Sequence, residues 1–208
     1  MIYLFQANPE FFLNQFRFQS LHELLFFAQC LSFSEIKQAS CRCGFKTDEP
    51  LIENFRKAGV EISSENDIVH LSVTTFRKNE LITVDFSQNP EAAIPFAVLC
   101  AVNGINADLR GLSALMNFEN TDLISRFQRE LYRFNILTDF CDSSKLKIYS
   151  KKKIQKRNQP LRIPQSELLC FHFLPMVFKF GTLESELNDS FFKKYQPLIS
   201  KLKYSERK

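Results

Sequence analysis

The densest chemistry in the chain is the run Lys145–Arg157, KLKIYSKKKIQKR, which carries seven cations and no acid. Ammonium and guanidinium groups spaced this closely can hold phosphate oxygens. No aromatic stacking platform or recognition helix accompanies them, so the run reads as a solvated loop, and nucleic acid is not expected as a partner. Cys41-x-Cys43 offers two thiols, but no second Cys or His pair follows at the spacing a zinc site needs. His22, His70 and His172 stand far apart in the sequence and lack Cys/His or Ser/His/Asp context, which assigns them packing or surface roles. There is no G-x-G-x-x-G and no P-loop, and five glycines could hardly build one. Neither a metal nor a cofactor is expected.

Other polar residues have a local explanation. Glu91 follows Pro90 where a helix begins, and a carboxylate there favours the positive end of the helix dipole. Asn120, Thr121 and Asp122 make a good helix start, because their side-chain oxygens can accept from the orphan N–H groups of a first turn. Lys193 and Lys194 are adjacent on a helix and read as solvated.

The elements that would position these residues follow from periodicity. Leu21–Leu31 is an apolar helix, with a short strand near Glu35–Ala39. Thr47 and Asp48 cap a helix over Glu49–Ala58, with Pro50 in its first turn, where a missing N–H costs nothing. Gly59 ends that helix, and VEIS and IVHLSV follow as strands around the polar turn Ser64–Asp67. The order then repeats. Pro90–Asn103 is an apolar helix ending at Gly104, Ala107–Leu109 is a strand, and Thr121-Asp122 caps a helix running to about Phe134. ILTDF and KLKIYS close a hairpin around Asp142–Ser144. A shorter third pass has a helix over Ser166–Phe180, a strand TLESEL and a helix over Phe192–Leu202 with a basic tail. The first two copies are offset by roughly 70 residues, and units that cannot bury their own apolar faces must pack on one another. The expected fold class is α+β: a single domain over 1–208, with three βαβαββ-like units at about 17–76, 81–150 and 161–208 and a basic connector at 151–160.

Composition sets the outer bounds. The chain has 208 residues, 45% of them apolar, enough for a sizeable core. Its 23 Phe fall at helix and strand spacing, which marks them as core filler rather than a cofactor box. A net charge of +4 permits anionic partners without demanding them. Of Cys30, Cys41, Cys43, Cys100, Cys141 and Cys170, three lie in apolar helical runs where a thiol behaves as a small hydrophobe. The opening MIYLFQANPEFF lacks a basic region ahead of an apolar run, and no segment approaches a membrane span. A reduced, cytoplasmic protein with no membrane partner is expected.

The stretch from Asp85 to Ile136 carries a resemblance. It reads Asp85-Phe86-Ser87-Gln88-Asn89-Pro90-Glu91, an apolar helix ending in Gly104, Leu109-Arg110-Gly111-Leu112, then Glu119-Asn120-Thr121-Asp122-Leu123. This is similar to the enolpyruvyl transferases, most closely the 3-phosphoshikimate 1-carboxyvinyltransferase (EPSP synthase) branch. That branch shows D-x-S-x-x-P-D, an apolar helix, L-x-G-L and Lys-Glu-Thr-Asp-Arg. Upstream, Gly44–Gly59 looks like its Q-G-D helix segment, with Asp48 at the Asp position. Leu161–Gly181 and Phe191–Leu202 resemble later segments. The resemblance implies one domain, built mostly from the carboxyl half of an enzyme about twice as long, with the inside-out α/β-barrel architecture of three units about a common axis.

It also implies an activity, transfer of the enolpyruvyl group of phosphoenolpyruvate to shikimate 3-phosphate. Glu91 and Lys193 fall on catalytic positions, and Asn120 on a third where the family has a proton-transfer Glu. Lys194, Thr121 and Asp122 fall on substrate-binding positions. Glu119 replaces a Lys, and Leu123 and Leu168 replace the two Arg that clamp charged oxygens. The expectation is therefore an enolpyruvyl-transferase-like protein that is inert as an isolated chain, with a second chain supplying the other domain if it acts. The alternatives are a non-catalytic binding or assembly subunit that uses the former domain-closing face, and an anion-binding module centred on the basic run.

Overall fold

The computed structural model describes residues 3–5, 17–18, 24–25, 28–29, 38–43, 49–65, 68–73, 80–120, 123–142, 144–150, 172 and 204–206. They form an α+β arrangement with two four-stranded sheets and three α-helices. The strands are β1 (Tyr3–Phe5), β2 (Arg17–Phe18), β3 (Gln38–Cys43), β4 (Val60–Glu65), β5 (Ile68–Val73), β6 (Leu81–Asp85), β7 (Asn106–Arg110), β8 (Leu137–Asp142), β9 (Lys145–Tyr149) and β10 (Tyr204–Glu206). The helices are α1 (Glu49–Lys57), α2 (Ala93–Asn103) and α3 (Leu123–Arg133). Two 3-10 segments, Pro90–Ala92 and Ser113–Asn120, precede α2 and α3.

The first sheet runs β2-β3-β5-β4 and the second β6-β7-β9-β8. In each, the first pair is parallel and the next two are antiparallel. A parallel pair needs a long crossover, and α2 lies on the one between β6 and β7. The buried helical residues Leu24, Leu25, Ala28 and Gln29 lie on the corresponding connection between β2 and β3. A small antiparallel pair, β1 with β10, joins the two ends of the chain.

Alternation along β5, β6 and β9 turns one face of each sheet to the core, whereas β7 is buried at Asn106 and Asp108 as well as at its apolar residues. Ile82, Val84, Ala107, Leu109, Leu146 and Ile148 point into the core, while Thr83, Asp85, Arg110 and Asp139 face outward. Val60, Ile62, Val69, Leu71 and Val73 do the same in the first sheet. The helices differ in kind. α1 and α3 are amphipathic, burying Leu51, Ile52 and Phe55 in one and Leu123, Ile124, Phe127 and Leu131 in the other. In α2 every residue from Ala93 to Ala101 is buried, the mark of a helix surrounded by protein. Gly104 closes it at φ 74°, where a left-handed residue lets the chain turn back to β7. The buried Gln29 side chain donates 2.8 Å to the carbonyl of Pro95 and ties the earlier helical residues to α2.

The two sheet units meet through aromatic rings. Phe96 of α2 packs edge-on against Phe55 of α1, with centroids 5.3 Å apart, and tilts against Phe86 at 5.2 Å. All three rings are buried.

Several expectations shift on the structure. The strand expected near Glu35–Ala39 is β3, three residues later at its start, because its Ser, Cys and Arg residues give little alternation to read. The Ser64–Asp67 turn narrows, since Ser64 and Glu65 extend β4. The helix expected after Thr121-Asp122 is α3, which begins at Leu123, and Asn120 ends the 3-10 segment ahead of it. The first five residues of the run Lys145–Arg157 are β9, the second arm of the hairpin expected from ILTDF and KLKIYS. Of the third unit, only His172, helical and buried, and β10 fall within the described residues. The remaining Ser166–Phe180, TLESEL and Phe192–Leu202 assignments lie outside them.

Candidate functional site

One concave site lies where α1 approaches the turn after β6. It encloses about 250 Å³ and is lined by Pro50, Leu51 and Asn54 from α1 and by Asp85, Phe86, Ser87, Gln88 and Asn89 from the turn. Buried Leu51 and Phe86 give it an apolar floor, and the other side chains give it a polar rim. The Asn54 side-chain amide donates 2.9 Å to the carbonyl of Asp85, pinning the turn to the helix. Leu51 and Asn54 sit one helical turn apart, so the same face of α1 contributes floor and rim.

The turn is built around the Asp85 carboxylate. Its Oδ1 accepts from the Ser87 backbone N–H at 2.8 Å and also from the Ser87 hydroxyl. Gly111 passes directly over this pair at φ 76°, leaving no room for a side chain. The two Ser87 hydrogen bonds, led by the hydroxyl, hold the Asp85 carboxyl below the ordinary carboxylate range, with a smaller contribution from the Arg110 charge. Arg110 is itself engaged by Asp108, whose Oδ2 accepts 3.1 Å from its guanidinium. Arg110, the cation that acts on this carboxylate, is thus shared with Asp108, and the described lining of the cleft carries no cation.

A second Asp-x-Ser turn shows what such a carboxylate does by default. At the β8–β9 hairpin, Asp142 Oδ1 accepts from the Ser144 N–H at 2.8 Å and the Ser144 hydroxyl at 2.7 Å, and Oδ2 meets Lys145 at 3.2 Å. The Ser144 hydroxyl, then its N–H, then Lys145 bring the Asp142 carboxyl down to about 2. The same device in a plain hairpin assigns Asp85 a turn-forming role. The stability these bonds supply is present above the ordinary Asp range near pKa ~3.9 and is lost as pH falls through the folded value. Urea melts between about pH 4 and pH 2 should show the wild type losing stability more steeply than Asp142→Asn, which cannot titrate at that position.

The residues singled out in the sequence are not gathered here. Glu91 lies in the 3-10 turn leading into α2, half-buried and at the start of the helix, and does not line the cleft. Asn120 ends the 3-10 segment before α3. Asp48, Thr121, Asp122, Leu168, Lys193 and Lys194 lie outside the described residues. Leu123, which stands where the resemblance places an Arg, is wholly buried in the apolar core. Asp85, Ser87 and Gly111 belong to the D-x-S and L-x-G-L motifs quoted above, although no role was assigned to them, and Asn54 is the contributor that carried no signal in the sequence.

The described part of the basic run is already matched by acids. On the face of the second sheet opposite the core, Thr83, Asp108, Lys147 and Asp139 share one cross-strand row, with Asp108 buried, and Asp85, Arg110, Lys145 and Asp142 the next. In the first row Lys147 stands between two acids; in the second Arg110 and Lys145 are direct neighbours flanked by Asp85 and Asp142, so each row carries as many acids as cations or more. Cys100 is a free thiol inside α2, and burial pushes its pKa up, which makes it inert packing. Among the described residues no group of three His, Cys, Asp or Glu could hold a metal ion, and no helix is long and apolar enough to cross a membrane.

Compared with known proteins, the chain matches no family model and no curated protein.

Proposed function

We propose that the chain is an enolpyruvyl-transferase-like domain that has kept the frame of an EPSP-synthase-type unit without its catalytic charges, and that it acts as a non-catalytic binding or assembly subunit. The observation that carries this reading is Leu123: the position matching a substrate-clamping Arg is wholly buried core. The shared strand order of the two sheets supports the repeated βαβαββ unit, and the fully buried α2 supports units packed around central helices. Phosphoenolpyruvate brings a carboxylate and a phosphate that need several cations. Charged hydrogen bonds are worth about 1.5–3 kcal/mol each, so losing two or three of them costs roughly three orders of magnitude or more. Glu91, at a helix start, and Lys193 remain the positions through which any residual activity would run.

Calorimetry with phosphoenolpyruvate and with shikimate 3-phosphate tests the reading. Silence with both ligands is the expected result. Millimolar or tighter binding that disappears in Lys193→Ala would restore the enzyme and overturn the proposal.

A further inference from the structure

We propose that the cleft between α1 and the Asp85 turn binds a small uncharged polyol, a single hydroxylated ring, in place of a phosphorylated ligand. This rests on the reading above that the catalytic charges are gone, and it names a ligand class for the cleft that remains.

The rim offers both kinds of hydrogen-bonding group. Asn54 spends an amide N–H on the Asp85 carbonyl and Asp85 spends Oδ1 on Ser87, and among the described residues nothing donates to Asn54 Oδ1 or Asp85 Oδ2. The exposed Gln88 amide makes no hydrogen bond to the described residues. Hydroxyl groups both donate and accept, so one polyol can satisfy carboxylate and amide oxygens together with an amide N–H. A phosphate brings mostly acceptor oxygens and a negative charge that would meet the Asp85 carboxylate, with Arg110 shared with Asp108. Below the rim, Leu51 and Phe86 present an apolar floor that suits the C–H face of a ring. At about 250 Å³ the space falls under the ~300–1,000 Å³ typical of drug-sized ligands, which limits the occupant to about one ring.

Amide NMR titration of the whole chain tests this, with myo-inositol and methyl glucoside as probes against inorganic phosphate, phosphoenolpyruvate and ethanolammonium. The expected result is saturable millimolar binding of the two polyols, with shifts centred on Gln88 and Asn89. Gln88→Ala, at a residue that bonds no described part of the fold, should weaken that binding about three- to tenfold, as for the loss of one or two neutral hydrogen bonds. Absence of saturable shifts with either polyol overturns the proposal, as do shifts that Gln88→Ala leaves unchanged or stronger binding of phosphate or ethanolammonium. Polyol silence together with phosphoenolpyruvate silence overturns the ligand class alone. Phosphoenolpyruvate binding that depends on Lys193 overturns the earlier reading instead.

Discussion

Phe96→Ala should lower the stability of this domain by about 3–5 kcal/mol, the usual cost of emptying a buried aromatic position. The ring is 0% exposed and sits between Phe55 of α1 and Phe86 at the cleft floor, so both neighbours lose a partner at once. Neither can easily move to fill the space, because Phe55 is fixed by its helix and Phe86 by the turn whose N–H donates to Arg110 O at 2.9 Å. Domains of this size are stable by only about 5–15 kcal/mol, so the variant would sit near the edge of folding. At about 2–4 °C per kcal/mol, the melting temperature should fall by about 6–20 °C. Thermal melts followed by circular dichroism would read it. Phe96→Leu keeps most of the volume and gives up the ring geometry, so its loss should stay near ~1.5 kcal/mol. A small loss for both variants would mean that the two sheet units are not held through this aromatic contact.

Gly111→Ala should be the second severe change. The left-handed φ of 76° costs an L-residue roughly 1–2 kcal/mol before any contact is considered. A Cβ at this position would stand 2.6 Å from Asp85 Oδ1 and 2.5 Å from Ser87 Oγ, and closer still to the Ser87 backbone nitrogen. The side-chain contacts could yield by rotation, but the backbone contact cannot, so the turn must move as a whole. Gly104→Ala is the control. Its φ is 74°, nearly the same, and the nearest atom to an added Cβ is 4.0 Å away, so it should show the backbone cost alone, about 1 kcal/mol. Urea denaturation of the two variants should therefore differ by about 2 kcal/mol or more, the difference measuring what it takes to displace the Asp85–Ser87 turn. Equal losses would show that the turn is soft and that the cleft is not a fixed site.

Much of this architecture could be read from residue pattern. Pro50 and Gly59 bracket α1, Gly104 closes α2, and the alternation in VEIS, IVHLSV and KLKIY places β4, β5 and β9 within a residue or two. Those signals are local, because each element carries its own punctuation. What the pattern missed depends on approach in space. Asn54 reaches Asp85 across 31 residues, and Gly111 is glycine because Ser87 lies beneath it, so neither fact leaves a trace in its own neighbourhood. The pairing of β1 with β10 is the extreme case, since its partners lie at opposite ends of the sequence. Glu91 was legible as a helix-start acid from Pro90 beside it, and the structure places it there. The strand in the basic run was legible from KLKIY, but the residues facing Lys145 and Lys147 come from across the sheet and left no sign beside them in the sequence.

On the lineage proposed above, the burial of Leu123 would give the domain a one-way character. A helix-start position open to solvent can exchange a charged residue for a neutral one and back again at little cost. Position 123 is 0% exposed, packed into the same core as Ile124 and Phe127. A guanidinium placed there now would lose its water without gaining a described partner, a penalty of several kcal/mol per buried ion. Each apolar residue that settles into such a position strengthens the core and raises the barrier to reversal. On the lineage proposed above, the path back to an arginine at this position would have to pass through sequences that fold poorly, so the binding role and the loss of chemistry would be locked in together.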